Sequence, residues 1–289
     1  MLCRKDLRLI TIKFYFYSKF YPVKEISSVQ NPLIKQILQL KDKSRERKKQ
    51  KLFVVEGLRE ISLALKGGYD FEYILFYEGI LSPDNINSFL SEFSTEAKLI
   101  SISKEVYQKL AYRETTEGVI GLGRSKEHQL DSLNFKKDNP LILIAEAPEK
   151  PGNIGALLRT ADAANLDAVI IANPKTDIYN PNIIRSSVGC VFTNKVVSGS
   201  TPDIIEFLKN NKIQIYCAAL SASKNYHQVD FRGPSAIVVG TEATGLGEEW
   251  LSSSSQNIII PMQGEIDSMN VSVSAAILIF EAKRQRNFS

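Results

Sequence analysis

The chain has 289 residues, 44% hydrophobic and 24% charged, which is long enough and apolar enough for one large or two smaller globular domains. The formal net charge of +4 excludes a strongly basic, histone-like protein, and no apolar run is long enough to span a membrane. Three widely separated cysteines and two isolated histidines offer neither a disulfide framework nor zinc-ligand spacing, which favours a reducing, cytoplasmic compartment and no bound metal.

Residues 1–24 are basic and aromatic, without the uninterrupted apolar core or the small-residue cleavage site of a signal peptide. We expect a poorly ordered extension or an overlong gene start, with an RNA-binding arm or an organelle transit segment as the alternatives.

Residues 25–123 alternate strand-like and helix-like runs, which predicts a small α/β domain. Asn31 followed by Pro32 predicts a helix start, because Asn is a favoured cap and Pro fits the first helical turn. Further helices are expected after Gly57, Ser82 and Ser103. Residues 124–139 are polar and lack a clear period, so they are predicted to be a linker.

A basic run follows the first predicted helix, with seven Lys or Arg against two acids in eleven residues. The seven basic residues are Lys41, Lys43, Arg45, Arg47, Lys48, Lys49 and Lys51. Such a run is either a solvated helix face or a surface that contacts nucleic-acid phosphates.

Residues 140–289 alternate strands and helices again. Strands are predicted at 141–145, 168–172, 213–218, 236–239 and 258–260, and helices near 153–164, 202–210 and 268–284. Continuous apolar strands alternating with helices predict a parallel sheet covered on both faces.

Polar, glycine-containing loops follow three of these strands, and ligands bind at the carboxyl ends of strands in such sheets. The first loop places Asn153 at a helix cap and Arg159 inside a small-residue helix. A buried guanidinium there needs a partner, either a phosphate or an interior carboxylate. The second loop carries Gly240 and Glu242. The third loop carries Ile260, Ser268, Met269 and Asn270.

The glycines do not have the G-x-G-x-x-G spacing of dinucleotide-binding and ordinary Rossmann-type methyltransferase loops, and no acidic residue ends the second strand. No phosphate-binding P-loop is present in the sequence either.

The three loops in order read N-x-G-x-x-x-x-R, V-G-T-E-x-x-G-L and I-P-M-x-G-x-x-x-S-M-N-V-S-V-S, over roughly residues 140–285. This order closely resembles the motifs of the SpoU/TrmH family of RNA ribose 2′-O-methyltransferases. The resemblance implies an α/β domain (140–289) whose C-terminal segment forms a deep trefoil knot. It also implies S-adenosylmethionine as cofactor and a homodimer. Ala243-Thr244 and Met269 are mild departures from the family pattern.

The resemblance also implies residue roles. Asn153, Arg159, Glu242, Ser268 and Asn270 fall on the family's active-site positions, and Gly240, Ile260 and Met269 on its cofactor-binding positions. Arg159 is expected to orient a phosphate rather than act as a base, because guanidinium is hard to deprotonate.

Residues 25–123 resemble, less specifically, the substrate-binding domain of rRNA-directed members, at 26–32, 53–57 and 115–119. Large-subunit (23S) rRNA is therefore the expected substrate, and the basic run its phosphate-contacting surface. Tyr112 and Arg113 fit either stacking on an unpaired nucleotide or an ordinary core or surface position. A tRNA methylase of the same family and a non-catalytic ribosome-assembly protein are the alternatives.

Overall fold

The structure is a computed structural model that describes residues 25–112, 117–135, 137–220, 223–241, 244–265 and 268–288. The chain divides into two compact units between Lys126 and Glu127, and each is considered separately. The predicted extension 1–24, Arg113 and the predicted site residue Glu242 lie outside the described residues. In the described part of the chain, no helix has both the length and the apolar character needed to cross a bilayer.

Unit 1 contains a five-stranded mixed sheet with the strand order β1-β4-β3-β5-β2. Strands β1, β4 and β3 run parallel, while β5 is antiparallel to both β3 and β2. The elements in chain order are β1 (Glu25–Ile26), α1 (Pro32–Asp42), α2 (Ser44–Gln50), β2 (Leu52–Glu56), α3 (Leu58–Lys66), β3 (Phe71–Phe76), α4 (Pro83–Ser91), β4 (Lys98–Ile102), α5 (Lys104–Leu110) and β5 (Val119–Arg124).

Helix α1 begins where the sequence predicts. The Asn31 side chain accepts a hydrogen bond from the Leu33 amide at 2.9 Å, which satisfies one of the unpaired donors of the first turn. Ile34, Ile37 and Leu40 recur at helical spacing and are fully buried. Of the basic run, only Lys41 lies in α1, because the chain turns at Lys43 and starts the separate helix α2.

Unit 2 contains a seven-stranded sheet with the order β10-β12-β9-β11-β6-β7-β8, in which every neighbouring pair is parallel. The elements are β6 (Leu141–Glu146), α6 (Pro151–Ala163), β7 (Ala168–Ala172), α7 (Pro181–Ser186), β8 (Val196–Gly199), α8 (Thr201–Asn210), β9 (Gln214–Ala218), β10 (Lys224–Asn225), β11 (Ser235–Val239), α9 (Glu248–Ser253), β12 (Gln256–Ile259) and α10 (Val271–Gln285).

The predicted parallel sheet is confirmed, and every residue of β7 and β11 is buried. Ile142 and Ile144 project from β6 into a core cluster with Ile204 and Leu208 of α8 and Trp250 of α9. Helix α6 packs against α7 and α10. Short elements that the sequence analysis does not predict are β8, β10, α7 and α9. The threaded path of a knot stays a prediction.

Part of the predicted linker 124–139 packs on unit 2. The His128 carbonyl accepts a hydrogen bond from the Ser198 amide at 2.8 Å, so the segment around His128 runs alongside edge strand β8. Gln129 forms a parallel bridge to Ser198, and Leu133 is buried in the core.

The end of α10 is anchored by the buried Arg286. Its Nε donates to the Phe231 carbonyl at 2.8 Å, and its terminal nitrogens donate to the carbonyls of Asn139 and Gly233, each at 2.5 Å. Next to it, Gln285 accepts from the Phe231 amide at 2.8 Å. One guanidinium therefore satisfies three carbonyls from two segments that are distant in sequence.

Candidate functional site

A cavity of about 580 Å³ opens at the carboxyl edge of the unit 2 sheet. It lies past the ends of three adjacent strands, β12, β9 and β11, where α/β sheets commonly place their ligands. Its volume is within the roughly 300–1,000 Å³ of small-molecule sites. Four predicted site residues line it, namely Gly240, Ile260, Ser268 and Met269.

The second motif loop closes tightly on itself beside the cavity. Thr241 and Gly245 exchange two backbone hydrogen bonds, of 3.1 Å and 3.0 Å. The Thr241 hydroxyl also accepts from the Thr244 amide at 3.1 Å. A Cβ on Gly240 would lie 2.2 Å from the Gly245 carbonyl atoms, so a residue without a side chain is required at that position.

The first and third motif loops meet through two amide side chains. Asn270 Nδ2 donates to Asn153 Oδ1 at 3.2 Å, across 117 positions of sequence. Asn270 is also the cap of α10, since its Oδ1 accepts from the Ser272 amide at 2.9 Å. The prediction that Asn153 is itself a cap is wrong, because α6 begins at Pro151 and Lys150 precedes it.

The exposure of Arg159 differs from the sequence prediction. The sequence predicts a buried guanidinium with a partner, but Arg159 is exposed on α6. Among the residues that the structure describes, no hydrogen bond or ion pair to Arg159 is found. It is six residues after Asn153, which on a helix is about 9 Å along the axis and about 120° around it. In the single chain, Arg159 is therefore available to an external anion.

Sequence reasoning missed Glu146, the last residue of β6. Its carboxylate accepts from the Trp250 indole at 2.7 Å, the Thr201 hydroxyl at 2.8 Å and the Asn173 amide group at 2.9 Å. It thereby joins the start of the first motif loop to α9, which follows the second motif loop. The sequence offers one signal for this residue, an acidic side chain at the end of a strand beside a motif. The expected methyl-transfer mechanism assigns no role to that carboxylate.

The wall formed by Ala218, Ala219 and Leu220 was also missed. These residues follow β9, which lies between β11 and β12 in the sheet. They carry no charge and no glycine, so position after a strand was the sole signal in the sequence.

The basic run is split by the fold. Arg47 is buried, with its guanidinium donating to the carbonyls of Leu40 at 2.6 Å and Lys41 at 3.1 Å, so its assignment to the RNA-contacting surface is corrected. Lys41 is half-buried and donates to the Leu110 carbonyl. Burial lowers the pKa of the Lys41 ammonium, and the Glu56 carboxylate opposes that shift. The remaining five residues are exposed, namely Lys43, Arg45, Lys48, Lys49 and Lys51.

His128, Cys190 and Cys217 take structural positions. His128 Nε2 lies 2.7 Å from the Tyr179 hydroxyl, and its Nδ1 lies 2.6 Å from the Val196 carbonyl oxygen. Cys190 and Cys217 are buried free thiols. No cluster of three potential metal ligands occurs within the described ranges.

Comparison with known proteins identifies the class. Residues 140–280 match the model of the SpoU rRNA Methylase family, and residues 31–121 match that of the MRM3-like substrate binding domain. A solved structure described as an RNA 2′-O ribose methyltransferase is 38% identical and has a TM-score of 0.78, over 91% of this chain and 99% of that chain. The chain belongs to the SpoU family of RNA methyltransferases, which confirms the resemblance.

Two further relatives are informative. The 23S rRNA (guanosine(2553)-2′-O)-methyltransferase RlmP of Bacillus subtilis (strain 168) is 28% identical over 90% of this chain and all of its own length (100%). The SpoU methyltransferase AviRb of Streptomyces viridochromogenes, solved in complex with AdoMet, is 25% identical with a TM-score of 0.80, over 89% of this chain and 99% of that chain. The predictions of a methyltransferase enzyme and of S-adenosylmethionine as its cofactor are confirmed.

Proposed function

We propose that this protein methylates a ribose 2′-hydroxyl of 23S rRNA. The observation that carries the proposal is the cavity at the carboxyl edge of the parallel sheet, where residues of the second and third motif loops converge. The RlmP relative, whose name states this activity on 23S rRNA, matches along the whole of its own length. The substrate-binding unit that precedes the catalytic unit favours rRNA over tRNA as substrate.

The cavity fits S-adenosylmethionine chemically. Apolar side chains such as Leu220, Leu246 and Ile258 offer a surface for a flat adenine ring. Backbone groups at Gly240 and Ile260 border the same space and can hydrogen-bond a ring edge. When bound there, the cofactor supplies the electrophilic methyl group.

The chain must then orient and activate the ribose. A hydroxyl is a weak nucleophile until its proton is removed or its developing charge is stabilised. Histidine is absent from the three motifs, and both histidines of the sequence lie elsewhere. The exposed guanidinium of Arg159 is suited to hold the neighbouring phosphate, and Asn153, Ser268 and Asn270 to align the nucleotide and the loop. Glu242 is proposed to fix Arg159 or to bind the ribose.

The exposed part of the basic run is proposed to contact RNA phosphates. On α2, Arg45, Lys48 and Lys49 are spaced i, i+3 and i+4, which places them on one helix face. Arg47 projects away from that face into the interior. Phosphate contacts of this kind fix the position of the RNA without reading its sequence.

We also propose a cytoplasmic homodimer. Val273 and Phe280 are seven residues apart on α10, so they share a face, and they are 48% and 42% exposed. A second copy of the chain covering that face would remove both from water. Light scattering should give twice the mass of one chain, and a single-chain mass would contradict the proposal.

The cytoplasmic location is supported by the buried free thiols.

The deciding experiment supplies labelled S-adenosylmethionine with 23S rRNA and, separately, tRNA from cells lacking the gene, and maps 2′-O-methyl products. Transfer to 23S rRNA alone is expected. Transfer to tRNA would favour the tRNA methylase alternative, and transfer to neither would favour the assembly protein.

Within that assay, Arg159→Ala should lower the transfer rate by about 100- to 1,000-fold, as loss of one charge-stabilising donor typically does. Stability should stay within about 0.5 kcal/mol, because Arg159 is exposed. Arg159→Lys keeps the charge but loses the planar fork, and should also be slow. Undiminished transfer by Arg159→Ala would remove the residue from the mechanism.

A further inference from the structure

Tyr112 in unit 1 is a large, exposed aromatic side chain that the methyl-transfer site does not use. The residue is 42% exposed. The ammonium nitrogen of Lys41 lies over its ring, 4.5 Å from the ring centroid, which is within cation–π range. The ring therefore has a fixed cation against one face while a large part of the residue meets solvent.

The position of this ring is set by three separate elements. Helix α5 ends at Leu110 and the chain continues in an extended conformation at Ala111. The Tyr112 amide then donates to the Glu56 carboxylate at the end of edge strand β2, at 2.9 Å. The Leu110 carbonyl accepts from the Lys41 ammonium, so the helix end holds the cation as well.

Arg47 completes the support. Its buried guanidinium donates to the carbonyl of Lys41 itself, at 3.1 Å, and to that of Leu40 at 2.6 Å. The end of α1 that bears Lys41 is therefore held in place from below. A ring ordered in advance in this way loses little conformational entropy when a flat group stacks on it.

The surrounding charges indicate which part of a nucleotide fits. Lys43 is exposed and follows Lys41 by two residues, within about 7 Å of backbone, and leads into the basic face of α2. The Glu56 carboxylate, by contrast, is bonded to the backbone of Tyr112 itself. Because the Lys41 ammonium and the Glu56 carboxylate offset each other beside Tyr112, the ring itself offers a phosphate little net attraction, whereas the basic face next to it favours one. A base on the ring and phosphates along α2 satisfy both.

We propose that Tyr112 is a stacking platform for one unpaired nucleobase of the RNA substrate, placed at the end of the basic face of α2. This rests on the proposed function and narrows it: the substrate presents a single-stranded or splayed-out nucleotide to unit 1. Bases inside a duplex have both faces occupied by stacking, so they cannot bind a protein ring in this way.

The test uses the full chain and short single-stranded RNAs that carry 2-aminopurine, whose fluorescence is quenched when it stacks. Wild type should quench the probe, and Tyr112→Phe should retain both quenching and affinity. Tyr112→Ala should abolish the quenching and weaken binding roughly 5- to 150-fold, the usual range for one base–aromatic stack. The same RNA annealed into a duplex should show neither quenching nor sensitivity to Tyr112→Ala.

Ile80→Ala is the matched control, since Ile80 is a similarly exposed apolar side chain of unit 1. It should bind RNA as wild type does. S-adenosylmethionine binding, measured on every variant, should be unchanged, and circular dichroism with thermal unfolding reports that unit 1 of each variant is folded. Equal quenching by wild type and Tyr112→Ala, or equal losses in Tyr112→Ala and Ile80→Ala, would overturn the platform. Because no step of this test requires methyl transfer, its failure is distinct from failure of the 23S rRNA assignment.

Discussion

Gly240→Ala tests whether the closed form of the second motif loop is needed to bind the cofactor. The added Cβ would lie 2.2 Å from the carbonyl carbon and oxygen of Gly245 and 2.7 Å from the Leu246 nitrogen. All three are backbone atoms, so no side-chain rotation can relieve the contact. The loop must open by most of an ångström.

That opening breaks the paired hydrogen bonds between Thr241 and Gly245. Each is worth about 1 kcal/mol net, so a closed loop becomes about 2 kcal/mol less favourable in the variant. If the cofactor binds the closed loop, its affinity should fall about 30-fold.

The assay is calorimetric titration with S-adenosylmethionine, with thermal unfolding as the check on folding. Gly247→Ala is the control in the same loop, because an added Cβ there meets nothing within 4 Å. It should bind the cofactor as wild type does. Wild-type affinity in Gly240→Ala, or equal losses in both variants, would refute the reasoning.

Three other predictions concern stability and charge. Glu146→Ala leaves the buried Trp250 indole N–H without its acceptor, so the free energy of unfolding should fall by about 1–3 kcal/mol. Calorimetry should then show a Tm lower by several degrees, and an unchanged Tm would contradict this. Lys48→Glu with Lys49→Glu should weaken RNA binding and flatten its salt dependence by about 1–2 units of slope, while cofactor binding stays constant; equal loss of both would contradict the division of labour. Burial raises the pKa of the Cys217 thiol from 9.0 to about 12, so an unfolded chain loses this proton first. The buried neutral thiol therefore contributes fully to the free energy of unfolding below pH 9.0, and this contribution is lost as the pH rises toward 12. In urea unfolding, the free energy of unfolding should fall less above pH 9.0 for Cys217→Ala than for wild type; equal declines in the two proteins would refute the role of Cys217.

The elements that the sequence predicts well are those fixed by neighbouring residues. Ser82 and Ser103 cap α4 and α5 as expected, each accepting from an amide three residues later at 3.3 Å. The continuous apolar runs of β6, β7 and β11 likewise indicate central parallel strands, because both of their faces are covered.

Positions set by distant parts of the chain could not be predicted. Arg47 is indistinguishable from Lys48 and Lys49 by composition, yet only the fold places the carbonyls at the end of α1 within its reach. Arg159 is in a helix of small residues that reads as buried, and its exposure depends on which face the rest of the chain covers. Local periodicity reports a helix face but not what meets it.

In the candidate site, too, local motifs are predictable from the sequence, whereas contacts between distant segments are not. The motif order identifies the loops that carry Gly240, Ile260 and Met269, and all three line the cavity. It does not give the strand order, so the sequence does not show that the segment after β9 lies between β11 and β12 and forms a cavity wall. The Asn153–Asn270 bond is likewise a product of the fold, since it joins helices α6 and α10.

The Arg286 anchor has a consequence for how the protein is made. The cavity needs walls from Ala218 through Ser274, and the helix that carries the last of them is fastened at its end by Arg286 and Gln285. A nascent chain that has emerged only as far as β12 already holds most of the sheet but lacks both the closing wall and its fastening. Cofactor capture should therefore begin only once the chain through Arg286 has left the ribosome.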